Sequence, residues 1–226
     1  MPPFNYYYTY NNSTSPNDVV GALNSLNPLD LSINWVLKRT FDITLSLILL
    51  ICIMPILIPI ILIIHKICSP GPLFCIQQRA GFKNQPFKII KFRTMHLNNY
   101  EEIRQPFNND PRLFPIGKLL RQTGIDEVPQ LFNVLKGEMS LIGPRPHLIQ
   151  HNIMFKQFHK NYDLRSTVLP GITGLAQVRG FRGGVNCDND IVYRVNSDIY
   201  YVENWSLFLD ILILIRSVGV ILTIVK

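Results

Sequence analysis

The sequence predicts a mainly α-helical monotopic membrane protein with a short β-hairpin. In it, a re-entrant helix and interfacial helices surround a small cytosolic domain. Three observations lead there. An apolar run from Ile43 to Ile64 contains two prolines and has basic residues at both ends. A second apolar segment, Trp205 to Val225, is interrupted by Asp210 and Arg216. Between them lie short periodic stretches separated by Gly and Pro turns.

The apolar run, at about 1.5 Å per helical residue, matches the roughly 30 Å of bilayer hydrocarbon. Two details argue against a simple crossing. Pro55 lies near its centre and Pro59 one turn later, and each removes a backbone donor and bends a helix. Lys38 and Arg39 precede the run and His65 and Lys66 follow it, so both flanks favour the cytoplasmic side. A helix that enters, breaks at Pro55 and returns satisfies both facts. Pro-kinked spanning helices exist as well, so a crossing stays an open alternative.

Residues 1–34 are rich in Asn, Tyr, Ser and Pro without an apolar period, and they read as a disordered N-terminal tail. No basic n-region precedes a short apolar stretch there, as a secretory signal would require. Residues 35–68 form the membrane segment, and residues 69–226 form the cytosolic domain with its C-terminal interfacial helix.

Within that domain Ser69 to Pro72 is a turn. Leu73 to Ile76 and Phe87 to Phe92 read as strands around a Gly81 to Pro86 turn. Asn98 to Pro111 reads as a polar loop or short helix. Helices are expected from about Pro115 to Gln122, Asp126 to Leu135, His147 to Phe158 and Asn189 to Asn204. Leu169 to Gly184 is Gly-rich and loop-like. A charge near the centre of a spanning helix costs about 2.5–3.5 kcal/mol. Trp205 to Val225 therefore reads as an interfacial or domain-packed helix. The aromatic run Tyr200, Tyr201, Trp205 and Phe208 suits either a headgroup belt or a core edge.

The net charge of +7 points to an anionic partner. Nucleic acid is disfavoured, since the basic residues are scattered and no zinc-finger or RNP-like pattern occurs. The four cysteines form no Cys-x-x-Cys pair, which fits a reducing compartment. His147 and His151, four apart, read as surface histidines on a polar helix, since nothing completes a metal shell around them.

The densest chemistry lies between Gly117 and Pro146. Asp126 and Glu127 are adjacent, Arg121 precedes them and Arg145 sits in a Pro-Arg-Pro turn. Neighbours on a regular helix point about 100° apart, so two adjacent acids address one site only from a helix start. Asp126 as N-cap, with Pro129 in the first turn, would provide that start. Acids beside arginines suggest phosphate chemistry, because a carboxylate meets a phosphate only when a divalent metal or a guanidinium offsets the repulsion. For an isolated Asp-Glu pair, plain helix capping is the better explanation. Arg145, held by its two prolines, could grip phosphate bidentately or pair with a structural carboxylate.

The ordered blocks around this segment resemble a known family, the bacterial monotopic phosphoglycosyl transferases, or sugar transferases, which include undecaprenyl-phosphate hexose-1-phosphate transferases. The matching pieces are Lys38-Arg-Thr-Phe-Asp42, Ser69-Pro-Gly-Pro-Leu-Phe74, Gln78-Arg-Ala-Gly81, Lys91-Phe-Arg-Thr-Met95 and Asp110-Pro-Arg112. Asp126-Glu-Val-Pro-Gln-Leu-Phe-Asn-Val-Leu-Lys-Gly-Glu-Met-Ser-Leu141, Gly143-Pro-Arg-Pro146, Pro170-Gly-Ile-Thr-Gly-Leu175 and Tyr201-Val-Glu-Asn-Trp-Ser206 continue the series.

The resemblance implies transfer of a sugar 1-phosphate from a UDP-sugar to undecaprenyl phosphate, initiating polysaccharide or glycoconjugate assembly. It implies a location at the cytoplasmic face of the bacterial inner membrane. Asp126 would be the nucleophile that forms a covalent phosphosugar intermediate, Glu127 the Mg²⁺ ligand and Arg145 a phosphate holder. Arg79, Lys91, Arg93 and Arg121 are further candidates for the substrate's phosphates or nucleoside. The Tyr201–Ser206 block tilts the sugar toward glucose or galactose. Pro55 matches the helix-breaking position, although Met54 stands where the family commonly has Ser. Ala80 and Ala176 also depart from the pattern. The chain resembles the short catalytic form of the family or a trimmed long one. The alternative is a catalytically inactive membrane-anchored subunit of an assembly complex. The oligomeric state is open, a homodimer included.

Overall fold

A single helix of 37 residues, α1 (Ser32–Cys68), runs along one side of a mainly helical body. The computed structural model describes residues 27–97, 110–182 and 188–225. Residues 1–26, most of the predicted Asn98–Pro111 loop, and Cys187 lie outside the described residues. Within the stretch read as tail, a 3-10 turn spans Pro28–Asp30.

Helix α1 is continuous through Pro55 and Pro59. Each proline withholds the N–H that would satisfy the carbonyl four residues earlier, at Ile51 and Pro55. Among the described residues it is the one helix long and apolar enough to cross a membrane, by length and composition. The helix is apolar on nearly all sides, yet only one stripe is buried: Lys38 with Arg39, Asp42, Ser46, Leu50 and Met54, then Ile61 and His65. Ile48, Ile51, Ile56, Ile60, Ile63 and Ile67 are exposed. A large exposed apolar face opposite a packed stripe is compatible with monotopic anchoring.

The basic residues ahead of the run are not a solvated flank. Lys38 is buried and donates from Nζ to Asp210 (2.8 Å), Asp42 (3.4 Å) and the Ile142 carbonyl (3.0 Å). Arg39 donates to the carbonyls of Val134 and Met139. Only Lys66 remains exposed as read. Asp210, which interrupts the second apolar segment, also accepts from Tyr201 Oη and Trp205 Nε1. Charge within an apolar helix is costly alone, and here it is fully paired.

The hairpin is longer than expected. Strands β1 (Phe74–Ala80) and β2 (Pro86–Phe92) pair antiparallel over their full lengths. The polar residues Gln77 to Arg79 hid the end of β1 from pattern reading. The turn between the strands places Lys83 and Asn84 at positive φ. After it come α2 (Gly117–Thr123), a 3-10 turn at Ile125–Gln130, and α3 (Leu131–Lys136). The helix expected from Asp126 to Leu135 is thus divided. Asp126 is no N-cap: Gly124, at φ 75°, precedes the 3-10 turn, and Gln130 precedes α3.

Two short strands, β3 (Ser140–Ile142) and β4 (Gly171–Thr173), pair in parallel. Strand β4 replaces part of the predicted Gly-rich loop, which also contains α5 (Leu175–Val178). The glycines serve close approach: a Cβ on Gly171 would come within 2.1 Å of Gly143 N. Helix α4 (Ile149–Phe155) starts after His147, which is buried at 6 % exposure rather than displayed on a helix surface. Helix α6 (Asp188–Glu203) matches its prediction, and α7 (Leu207–Val225) closes the chain. Tyr201 and Trp205 belong to the core, whereas Phe208, Ile215 and Val218 on α7 are exposed.

Candidate functional site

The 3-10 turn at Ile125–Gln130 packs on β2. In the hairpin register Lys91 stands opposite Cys75 and Arg79 opposite Phe87, so these residues share one face. Asn133 of α3 locks the turn to the strand: it accepts from Ile90 N (3.1 Å) and donates to Lys88 O (2.7 Å). Successive side chains of a 3-10 turn point about 120° apart, so what joins the two acids is not a common direction but shared cations, Lys91 and Arg145.

Glu127 is gripped from two sides. Lys91 Nζ lies 2.7 Å from Oε1. Arg145 spans both oxygens, Nη2 to Oε1 at 2.6 Å and Nη1 to Oε2 at 3.1 Å. Burial raises the Glu127 pKa, but Arg145 and Lys91 outweigh burial and hold the carboxyl well below its usual range. Asp126 behaves in the opposite way. It is 5 % exposed and its Oδ1 has no hydrogen-bond partner. Burial, then the neighbouring Glu127 charge, push its pKa up to about 6 against Lys91, Arg121 and Arg145. Two adjacent acids therefore occupy distinct electrostatic states, one neutralised by cations and one left as a bare oxygen. Capping accounts for neither.

The Pro-Arg-Pro loop is fixed through its carbonyls, because two of its residues have no N–H to offer. Pro144 O accepts from Gly171 N (3.0 Å), Arg145 O from Arg165 Nη2 (2.6 Å), Pro146 O from Arg79 Nη1 (3.4 Å) and His147 O from Ala80 N (3.0 Å). Arg165 is itself buried against Asp198 of α6, with Nε to Oδ2 at 2.9 Å.

The structure thus brings together Asp126, Glu127, Lys91, Arg121, Arg145 and Arg79. Arg121 donates from Nε to Thr94 Oγ1 (2.7 Å) and acts on Asp126 through its charge. Arg79 also bonds Gln77 Oε1. Arg93 is placed elsewhere: its guanidinium is buried on the carbonyls of Ser69, Pro72 and Met95 and on Ser69 Oγ, where it ties down the end of α1. Sequence reasoning missed Arg165 and Asp198, whose partners are distant in the chain. It also missed the Lys38–Asp210 pair, although a lone Asp inside an apolar segment is itself a signal that a cation must meet it.

No cluster of three or more His, Cys, Asp or Glu side chains occurs among the described residues. Mg²⁺ does not require one, because it binds one or two carboxylates together with substrate phosphates. The unpartnered Asp126 Oδ1 and the singly bonded Glu127 Oε2 leave oxygen lone pairs at adjacent residues, so the donor set fits such an ion.

A family model described as bacterial sugar transferase matches residues 33–224. The chain is 42 % identical over 187 residues to the UDP-glucose:undecaprenyl-phosphate glucose-1-phosphate transferase of Escherichia coli (strain K12), covering 82 % of this chain and 40 % of that protein. It is 42 % identical over 188 residues to the exopolysaccharide production protein PSS of Rhizobium leguminosarum bv. phaseoli, covering 81 % of this chain and 94 % of that protein. It is 39 % identical over 191 residues to the UDP-N-acetylgalactosamine-undecaprenyl-phosphate N-acetylgalactosaminephosphotransferase of Aeromonas hydrophila, covering 83 % and 44 %. The chain spans about two fifths of the length of the Escherichia coli relative. With nearly all of its described part inside one family model, this chain belongs to the bacterial sugar transferase family.

Proposed function

We propose that the chain is a phosphoglycosyl transferase that moves a sugar 1-phosphate from a UDP-sugar to undecaprenyl phosphate at the cytoplasmic face of the bacterial inner membrane. The observation that carries this reading is the buried Asp126 carboxylate, its Oδ1 without a hydrogen-bond partner, beside a Glu127 already neutralised by Arg145 and Lys91. Four cations surround two carboxylates there, Lys91, Arg79, Arg121 and Arg145 against Asp126 and Glu127. The excess of two positive charges suits a diphosphate. The names of the relatives supply undecaprenyl phosphate as acceptor and a nucleotide sugar as donor.

In this mechanism an Asp126 oxygen attacks the sugar-proximal phosphorus of the donor. The bond from that phosphorus to the bridging oxygen breaks, and UMP leaves with the electron pair. An oxygen of the polyprenyl phosphate then attacks the aspartyl phosphosugar and expels the Asp126 carboxylate, giving the diphosphate-linked sugar. Arg145 and Lys91 stabilise phosphoryl charge, and the pinned Pro144–His147 carbonyls hold Arg145 in place for both steps. Mg²⁺, bound through Glu127 with Asp126 beside it, would supply further charge neutralisation on the diphosphate.

The membrane arrangement follows from contacts at both ends of α1. Lys38 and Asp42 bond β3 and α7, while His65 Nε2 lies 2.7 Å from Arg93 O at the end of the hairpin. A crossing helix would put one of these contacts on the far side of roughly 30 Å of hydrocarbon. Both ends touching one body supports a re-entrant α1, with the helix itself unbroken through Pro55 and Pro59. The sugar is a hexose, glucose or galactose, in line with the glucose transferases among the relatives.

The test is UMP release with labelled UDP-glucose, UDP-galactose and UDP-N-acetylgalactosamine, using detergent-solubilised undecaprenyl phosphate and Mg²⁺. Label should pass to lipid with UDP-glucose or UDP-galactose and should be trapped on the protein when lipid is omitted. A folded protein without turnover on any of the three would instead indicate an inactive assembly subunit.

A further inference from the structure

Arg145 is held at two points. Its guanidinium rests on Glu127, and its carbonyl accepts from Arg165 Nη2 at 2.6 Å. A phosphate that takes the guanidinium must displace Glu127 from it. The carbonyl hold is on the main chain and survives that exchange, so in the donor complex it is the contact that still directs Arg145. The direction follows from the backbone. Pro146 confines Arg145 to extended conformations, and neither proline beside it has an N–H to anchor the loop. Rotation about ψ of Arg145 turns the carbonyl relative to the Cα–Cβ bond, so a fixed carbonyl fixes the direction in which the side chain leaves. The carbonyls of Pro144, Pro146 and His147 are tied by Gly171 N, Arg79 Nη1 and Ala80 N. The tie from Arg165 falls on Arg145 itself.

Arg165 is in turn fixed along its whole fork. It is buried, its Nε donates to Asp198 Oδ2 at 2.9 Å, and its Nη2 lies 2.8 Å from the same oxygen. Nη1 donates to Tyr162 Oη at 3.3 Å and lies 3.2 Å from His147 Nδ1. A planar guanidinium can meet a carboxylate, a carbonyl and a hydroxyl at once, which a single ammonium on a flexible stem cannot. Asp198 is buried on α6, so the contact carries the position of that helix to the Pro-Arg-Pro loop. Stability alone does not account for the pair. Burying two charges is costly, and apolar residues in their place are often neutral or stabilising. What apolar residues would not supply is the donor to the Arg145 carbonyl.

We propose that Arg165, seated on Asp198, is a positioning residue that aims the Arg145 guanidinium at the diphosphate of the nucleotide-sugar donor. The proposal rests on the reading of Arg145 as a phosphate holder. Arg165 does not itself touch the donor. It acts through the Arg145 main chain, and its contribution is realised when phosphate has replaced Glu127 on the guanidinium. Preorganisation of this kind lowers the cost of ordering a long side chain on binding.

The experiment measures UDP binding by calorimetry to the detergent-solubilised full chain, with folding followed by thermal unfolding. The key variant replaces the ion pair by apolar residues, Arg165→Met together with Asp198→Leu. A second variant is Arg165→Lys, which keeps Asp198 paired but offers one point in place of a fork. Each is made alone and with Arg145→Ala, beside wild type and Arg145→Ala. The pair replacement should fold with near wild-type stability and yet weaken UDP by about tenfold. Arg165→Lys should lose part of that, about threefold. In the Arg145→Ala background neither should cost anything further, because the side chain being aimed is gone. A merely structural pair predicts the opposite on both counts. Wild-type UDP affinity in the folded pair replacement overturns the proposal, and so do losses that add to that of Arg145→Ala. If Arg145→Ala itself leaves UDP binding unchanged, the phosphate-site reading fails and the proposal with it. If Arg145→Ala weakens UDP while the pair replacement does not, only the positioning role fails. Should the pair replacement not fold, Arg165→Lys decides by the same two comparisons.

Discussion

Arg145 grips Glu127 with both arms of its guanidinium, at 2.6 and 3.1 Å, while Lys91 takes the same Oε1 at 2.7 Å. In the ligand-free protein the cations proposed to hold phosphate are therefore held by a carboxylate. Glu127→Gln releases them. Without metal, the variant should bind UDP more tightly than wild type, by about tenfold, while its turnover with Mg²⁺ falls by at least about a hundredfold. Metal-free calorimetry beside a UMP-release assay checks both. Weaker metal-free UDP binding in Glu127→Gln would show that the pair does not compete with phosphate.

Asp126 keeps its charge at the expense of stability. Its folded-state pKa, about 6, lies above the unfolded value, so the folded protein holds a proton between about pH 4 and 6 that the unfolded chain releases. Stability is thus lost as pH rises through that window. Asp126→Asn removes the burial cost and should raise stability at pH 7 by up to about 3 kcal/mol while abolishing turnover and covalent label. Thermal unfolding in detergent measures the first effect. Retained turnover in Asp126→Asn would remove Asp126 as the nucleophile.

The same value sets the acid limb of activity. Asp126, as the proposed nucleophile, must be ionised, so kcat/KM for the donor should fall below about pH 6 with a slope of one. Glu127, held well below its usual range, should add no second limb there. Single-turnover UMP release from pH 4.5 to 8 tests this, and a profile flat to pH 5 would contradict the electrostatic account of Asp126.

Lys38 is the cation for Asp42 and Asp210, all three buried. Lys38→Met leaves Asp210 without its cation and Asp42 with only the longer Arg39 contact at 3.9 Å, and should cost about 3–5 kcal/mol. A thermal midpoint within about 2 °C of wild type would mean that the network does not dock α1 on the body.

For the membrane helix the expected outcome is symmetric labelling. Single cysteines at Ile33 and Lys66, in a chain otherwise free of cysteine, should both react with an impermeant maleimide from the cytoplasmic side of inverted vesicles. Protection of one but not the other would favour a crossing.

Much of the site could be read from the chain. Asp126, Glu127 and Arg145 stand within one short segment, and rigid Pro-Arg-Pro geometry is a local property. Lys91, Arg79 and Arg121 were legible as candidates by motif, and the fold places them around the same two acids. Arg93 reads identically to Lys91 in sequence, yet it is spent on the end of α1. Strand alternation is short-range and says nothing about which carbonyls a long side chain will find.

By itself the sequence determined the mainly helical class, the apolar anchor with its prolines, the hairpin's location and the pairing of two acids with an arginine. These follow from periodicity, backbone chemistry and residues close in the chain. Only the tertiary structure decided the different states of Asp126 and Glu127, because a pKa depends on burial and on cations brought from β2 and the β3 loop. It also decided that Lys38 is a buried partner of Asp210 rather than a solvated flank, and that His147 is buried against Tyr162 and Arg165 rather than a surface histidine. Each of those depends on contacts between residues far apart in sequence, which no local pattern encodes.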